Sequence, residues 1–253
     1  MALKVVTIGG GTGHYEFLCA LHRLDLTPTA LVSMADDGHS SGDMRDKYGA
    51  LPPGDFMQCL TALTTLPREI VRHILRTRMT RRALAGHNIG NLVLTFAAQH
   101  GGSFLDAAAE LEDILKVRGH VLPITVGQVR LHGRSLQGEV VDGEANFDRL
   151  GERLASGDRI SEVWLSPNAP AIPEAITAIR EASYLFLTPG DLWSSIAPVL
   201  LVNGVKEAIA SSRAEIIYTC NMVTTRGKTD NFTVADFVKA LDLLLPSPGA
   251  TVR

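Results

Sequence analysis

The stretch Gly9-Gly-Gly-Thr-Gly13 places four glycines in five residues, directly after the apolar, β-branched run Leu3 to Ile8. Glycine lets successive backbone N–H groups converge on an anion and lets that anion approach the main chain closely. A helix starting there adds the positive end of its dipole. Gly10, Gly11, Thr12 and Gly13 are therefore candidate phosphate-binding residues. Two familiar phosphate motifs are excluded by spacing. The dinucleotide fingerprint GxGxxG requires glycine at position 14 or 16, where His14 and Glu16 stand. A P-loop requires a following Lys-Ser/Thr, which is absent.

Five further loops carry polar groups that chemistry can use. Ala35-Asp-Asp-Gly-His-Ser-Ser-Gly42 follows a second apolar run, Thr29 to Met34. Asp36, Asp37 and Gly38 lie where an acidic residue can hold a ribose hydroxyl. Asp36 and Asp37 together can also hold Mg²⁺ between protein and phosphates. An Asx turn is the plainer use of the same residues. Leu51-Pro-Pro-Gly-Asp55 brings Asp55 to a helix start, where capping alone would explain it. Gly86-His-Asn-Ile-Gly-Asn91 offers the amides of Asn88 and Asn91 to a phosphate or base, and His87 as an acid/base or a hydrogen-bonding group. In Thr188-Pro-Gly-Asp-Leu-Trp-Ser-Ser195, a strand end meets a turn and a helix start, so Pro189, Gly190, Ser194 and Ser195 are candidates too. Asp191 sits awkwardly there: it can cap the helix, but its charge repels phosphate. Cys220-Asn221 ends another strand and places Asn221 to read a ligand.

The elements that must position these loops alternate strand and helix at both ends of the chain. Strands are expected over Leu3–Ile8, Thr29–Met34, Arg159–Leu165, Tyr184–Leu187 and Glu215–Thr219. Helices are expected over Tyr15–Leu24, Asp55–Leu66, Asn91–Gln99, Phe104–Val117, Pro173–Ala182, from Leu192 through Ala210, and over Val234–Leu245. Ala35 to Pro53 reads as loop. Ile70 to Leu84 reads as a basic amphipathic helix with Arg72, Arg76, Arg78, Arg81 and Arg82, preceded by Arg68. Its apolar residues Ile70, Val71, Ile74, Leu75 and Met79 supply a core face, which leaves a solvated arginine face. Residues 121–147 alternate and contain glycines, as a β meander would, either inserted into the fold or forming one sheet edge. The pattern predicts a single α/β domain over residues 1–253, Rossmann-like and three-layered (αβα), with a mostly parallel sheet. Such sheets bind ligands beyond the carboxyl ends of their strands, where the candidate loops fall.

Composition narrows the class. A chain of 253 residues suits one large α/β domain. The formal charge of -3 argues against a sequence-independent grip on nucleic acid. Cys19, Cys59 and Cys220 are far apart, form no metal pattern and fit a reducing, cytoplasmic setting. Leu3–Ile8 is too short for a secretory leader, and no apolar run reaches the roughly 20 residues of a membrane span.

Taken in order, these loops resemble the CofD/YvcK family. The matching pieces are Gly9-Gly-Gly-Thr-Gly13, Ala35-Asp-Asp-Gly with Ser40-Ser-Gly42, Leu51-Pro-Pro-Gly-Asp55, Gly86-His-Asn-Ile-Gly-Asn91, Pro189-Gly190 with Ser194-Ser-Ile196, and Cys220-Asn221. CofD-type members transfer a phospholactyl group from a guanylated donor to a deazaflavin alcohol, with Mg²⁺. YvcK-type members bind UDP-sugars and are linked to carbon metabolism and cell-wall morphogenesis. The Asp-Asp-Gly-x-Ser-Ser-Gly and Leu-Pro-Pro-Gly-Asp pieces are similar to the YvcK branch. The resemblance implies a Rossmann-like fold, a homodimer and a nucleotide or nucleotide-sugar ligand. Carried over by motif, Gly10 to Gly13, Pro189, Gly190, Ser194 and Ser195 would line the phosphate site. Asp36 or Asp37 would face sugar or metal, with Asn88, Asn91 and Asn221 nearby. The chain departs from the pattern at Thr188, where relatives carry Gly, at Asp191, where they carry Ser, and at His14-Tyr15. Two function classes follow: a regulatory nucleotide-sugar binder, or a Mg²⁺-dependent transferase of the CofD type. An NAD(P)-dependent oxidoreductase is disfavoured by the glycine spacing.

Overall fold

The computed structural model describes residues 3–81 and 84–245. Strand β1 (Val5–Gly9) is buried along its whole length, as the β-branched run demands. It lies between β2 (Thr29–Val32) and β7 (Tyr184–Leu187), and all pairings in the main sheet are parallel. The sheet order is β3-β2-β1-β7-β8, with β3 at His120–Pro123 and β8 at Glu215–Tyr218. The chain builds outward from β1 to β3, then returns to the other side of β1 with β7. Strand order therefore reverses between β1 and β7.

Both faces of the sheet are covered. Alternate residues of one strand point to opposite faces, so Leu31 joins one core while Ala30 and Val32 join the other. On one face lie α1 (Gly11–Arg23), α3 (Gly54–Leu63), α5 (Ile89–His100) and α6 (Phe104–Ile114). The helices α2 (His39–Tyr48) and α4 (Arg68–Arg76) sit beside them. The opposite face is covered by α9 (Pro173–Glu181), α10 (Ala197–Leu200), α11 (Val205–Ser211) and α12 (Val234–Leu244). Local signals fix several starts. Ser103 Oγ accepts the Asp106 N–H at the head of α6, and Thr233 with Asp236 forms a capping box on α12.

A second, antiparallel sheet has the order β5-β4-β6, with β4 at Arg130–Ser135, β5 at Val140–Asp142 and β6 at Ile160–Ser166. Two one-turn helices, α7 (Glu144–Phe147) and α8 (Leu150–Arg153), follow β5. Leu131, Val141, Phe147, Val163 and Leu165 carry this sheet into the main core. The meander expected over 121–147 is thus divided. Val121 to Pro123 forms the edge of the main sheet, while the small sheet extends to β6, because β6 pairs with β4 along six residues.

Two other expectations are corrected. Ala35 to Pro53 contains α2, which its polar composition hides. The basic helix ends at Arg76, because Arg78 pairs as a β-bridge with Asn88. Arg82 lies outside the described residues.

Candidate functional site

The loops after β1 and β7 pack directly on each other. Thr188 Oγ1 donates to the Ile8 carbonyl at 2.9 Å, and a Cβ on Gly9 would overlap that hydroxyl. A Cβ on Gly13 would overlap the Pro189 carbonyl, so only glycine lets α1 begin this close to the β7 loop. The Gly190 N–H donates to Asn221 Oδ1 at 3.4 Å. Gly10 to Gly13, Pro189, Gly190, Ser195 and Asn221 are thereby gathered at the sheet's switch point.

The amides of this region are largely committed to the chain's own carboxylates. Asp191 Oδ1 accepts the N–H groups of Trp193 and Ser194 at 3.0 and 2.9 Å. It caps Leu192–Ile196, a single wide turn in which hydrogen bonds skip five residues. The Ser195 N–H goes to the Asp191 carbonyl. The helix start expected to receive a phosphate at Ser194 and Ser195 is therefore already capped. Asp191 is balanced in turn by Lys228, whose Nζ lies 3.1 Å from Asp191 Oδ2 and 3.0 Å from Asp148 Oδ1, with its side chain 4% exposed. Burial alone would push this ammonium's pKa down, but Asp191 and Asp148 outweigh it and hold the value above the ordinary one.

At the β1 loop the corresponding anion is Asp55, near the start of α3. A Cβ on Gly10 would overlap its Oδ2. The Asp55 carboxyl is raised to about 7 by burial first and by the charge of Asp36 second, while the Gly11 N–H opposes the rise. Glu144, at the head of α7, is raised to about 8 by burial, then by Asp36, Asp148 and Asp55, with Lys228 opposing. Three carboxyls from three distant parts of the chain are thus crowded into one space.

The expected partnership of Asp36 and Asp37 does not form. Asp36 Oδ1 accepts the Gly38 N–H at 2.8 Å, and Asp36 lines the cleft. Asp37 instead ties the small sheet to this loop: its Oδ1 accepts the Ala145 N–H at 2.8 Å, and its Oδ2 faces Arg130 at 3.4 Å. The sequence points magnesium to Asp36 and Asp37, and Asp37 is committed to the Ala145 N–H and to Arg130. Among the described residues no three His, Cys, Asp or Glu side chains enclose a metal. A Mg²⁺ ion held here would complete its shell with water and ligand phosphates, as is usual for it.

A cleft of about 850 Å³ opens above these groups. Its walls include Thr12, Asp36, Gly38, Asp55, Asn88 and Asn91. Asn88 Oδ1 accepts the Asn91 N–H at 2.7 Å and caps α5. Asn91 Nδ2 donates to Ser40 Oγ at 3.2 Å, and Ser40 Oγ lies 3.1 Å from His87 Nδ1. This network explains His87 as a buried brace between two loops. Asn91 Oδ1 is buried without a donor among the described residues. Below, His14 Nε2 lies 2.8 Å from Thr7 Oγ1, and burial lowers its pKa to about 4.

Glu144, Asp148, Arg149 and Lys228 are not marked by the sequence pattern. For Glu144, Asp148 and Arg149 the sequence signal is the meander, whose end the fold lays over the cleft; Lys228 lies in the loop after β8 that also carries Asn221.

The architecture is that of a doubly wound α/β protein with a polar cleft beyond β1 and β2, lined by no residue of the β7 loop. The sequence model of the family described as 2-phospho-L-lactate transferase CofD matches residues 5–246, and the chain belongs to that family. A putative gluconeogenesis factor of Nostoc sp. is 40% identical over 240 residues, covering 94% of this chain and 51% of that protein. One from Thermotoga maritima is 38% identical, covering 96% and 76%, and the gluconeogenesis factor of Bacillus subtilis is 38% identical, covering 94% and 74%. The chain therefore spans about half the length of the first of these relatives and about three quarters of the other two. A crystal structure of a UPF0052-family protein from Bacillus halodurans superposes with a TM-score of 0.90 at 35% identity, covering 98% of this chain and 78% of that one. Named relatives thus fall in the YvcK-type branch that the loops resemble. Among the described residues no helix is long and apolar enough to cross a membrane.

Proposed function

We propose that this chain is a YvcK-type nucleotide-sugar-binding protein, with a regulatory role in carbon metabolism and cell-wall morphogenesis, acting in the cytoplasm as a homodimer. The observation that carries the reading is the 850 Å³ cleft beyond the carboxyl ends of β1 and β2, where Thr12, Asp36, Asn88 and Asn91 converge from three separate loops. A volume of this size suits a ligand larger than a single phosphate. Carboxylates in its wall suit sugar and ribose hydroxyls. The relatives' name, gluconeogenesis factor, points to carbon metabolism. Calorimetric titration with UDP-N-acetylglucosamine, UDP-glucose and GDP tests the reading. Saturable heat with a UDP-sugar is expected, and no heat with any of the three would defeat it. Light scattering on the eluted protein tests the dimer.

The second reading, a CofD-like Mg²⁺-dependent transferase, is favoured by the crowding of Asp36, Asp55 and Glu144. A divalent ion would relieve that repulsion and neutralise charge on a transferring phosphoryl group. Mass-spectrometric detection of a phospholactyl deazaflavin would support it.

A further inference from the structure

Both helix starts that the glycine pattern marks for phosphate meet a carboxylate of the chain itself. Asp55 lies against Gly10 and Gly11, and Asp191 takes the Trp193 and Ser194 amides. Ligand phosphates must therefore find their countercharge elsewhere in the cleft. Its walls carry three arginines. Arg76 ends α4, Arg78 follows it, and Arg149 lies between α7 and α8 on the facing small-sheet lobe. Among the described residues none of the three is in an ion pair. Arg78 spends one N–H on the Gly86 carbonyl at 2.5 Å, which fixes its direction and leaves its other donors. The wall under α4 is itself anchored, because Arg72 stacks over the Tyr15 ring at 5.0 Å.

A second observation comes from Asn91. It is 2% exposed, lines the same cleft, and its Oδ1 has no donor among the described residues. A buried acceptor left unpaired costs free energy unless something supplies a proton. A ligand hydroxyl or N–H would do so.

We propose that Arg76, Arg78 and Arg149 form the phosphate-recognition group of the cleft. The ligand then lies with its phosphates beneath the end of α4 and a hydroxyl or N–H donated to Asn91 Oδ1. The assignment rests on the reading that a nucleotide-class anion occupies the cleft. It deepens that reading by setting which end of the ligand faces which wall. Guanidinium groups grip phosphate oxygens in pairs, so two walls of arginine select a diphosphate over a monophosphate.

The test uses the purified full chain with UDP-N-acetylglucosamine, UDP, UMP and uridine as calorimetric probes. Wild type is expected to bind UDP more tightly than UMP. The double variant Arg76→Gln/Arg78→Gln is expected to lose tenfold or more in affinity for UDP-N-acetylglucosamine, and Arg149→Gln several-fold. The preference for UDP over UMP should collapse in the double variant, while weak binding of uridine stays unchanged. A general loss of structure would weaken uridine too and would count against the assignment. Arg180→Gln, on α9, serves as the control and should bind as wild type does. UDP-sugar binding within twofold of wild type in both arginine variants overturns the assignment and leaves the proposed function standing. No binding of any probe to wild type overturns both.

Discussion

Replacing Asp55 by Asn separates what the cleft needs from what the fold tolerates. The Asp55 carboxyl is raised from 3.8 to about 7 by burial and by the neighbouring Asp36. Each tenfold change in proton affinity corresponds to about 1.4 kcal/mol, so holding the ionised form in the fold costs ~4 kcal/mol relative to the unfolded chain. The folded state binds this proton more tightly than the unfolded state does. Stability from this group is therefore complete below pH 3.8, falls as pH rises through about 7, and levels off above that. Asn has the same shape, stays neutral and still accepts from the Gly11 N–H. The Asn variant should gain on wild type by about 3 kcal/mol between roughly pH 5 and pH 8.5. Glu144, raised to about 8 in part by the Asp55 charge, titrates in the same window and is relieved in the Asn variant. The difference between the two curves therefore reports Asp55 together with its coupling to Glu144. Urea unfolding followed by circular dichroism across this pH range, in EDTA and without ligand, makes the measurement. An advantage that stays flat, or shrinks as pH rises, would refute the assignment of Asp55 as a carboxylate held against its own desolvation.

Five further substitutions, in three tests, probe the scaffold. His14, lowered to about 4 by burial, takes up its proton more readily when unfolded, so stability should fall by about 3 kcal/mol as pH drops from 6.5 to 4. His14→Gln should flatten that slope in thermal melts. Gly13→Ala drives a Cβ into the Pro189 carbonyl and should cost about 2–3 kcal/mol, whereas Gly11→Ala, at φ +64° with open space around it, should cost about 1 kcal/mol; paired melts decide the order. Lys228→Met strips the buried partner from Asp191 and should cost about 3 kcal/mol, measured by urea unfolding near neutral pH, while Lys228→Arg should recover part of it.

The loops of the site are legible where chemistry and local structure coincide. Gly9 to Gly13 must serve both as a tight strand-to-helix turn and as a close contact with Pro189, and both demands select glycine, so the run stands out. Tyr184–Leu187 is legible for a similar reason, being a short apolar run bounded by breakers. Helix α2 is not. Its sequence from His39 to Tyr48 is polar, and it is anchored by Met44 in the core and by Arg45, which donates to the Val129 carbonyl at 2.5 Å. Neither contact leaves a periodic trace. The pattern overextends the basic helix because arginines suit a helix and a β-bridge equally, and only the pairing of Arg78 with Asn88 decides between them. Glu144 and Lys228 belong to the site solely through tertiary placement. A lone acid after a hairpin and a lone base in a turn look like ordinary surface residues until burial changes their meaning.

A glycine-rich turn at a strand end announces that an anion is wanted, but it does not say whose anion. In this chain two such turns meet the chain's own carboxylates, and the two cases differ. Asp191 is neutralised by Lys228 and lies close in sequence to the amides it caps, so it is a permanent fixture of the β7 loop. Asp55 sits instead beside a second carboxylate, Asp36, and is held at a pKa close to neutrality. A group in that state changes charge with small changes in its surroundings, which a structural cap has no need to do. The β7 loop thus carries an anion already paired with a buried base, whereas the β1 loop faces a carboxyl crowded by a second one. On the proposed arrangement, the arginines of the α4 wall meet the phosphates, and Asp55 and Glu144, which line the same cleft, are left to accept from the ligand's hydroxyls.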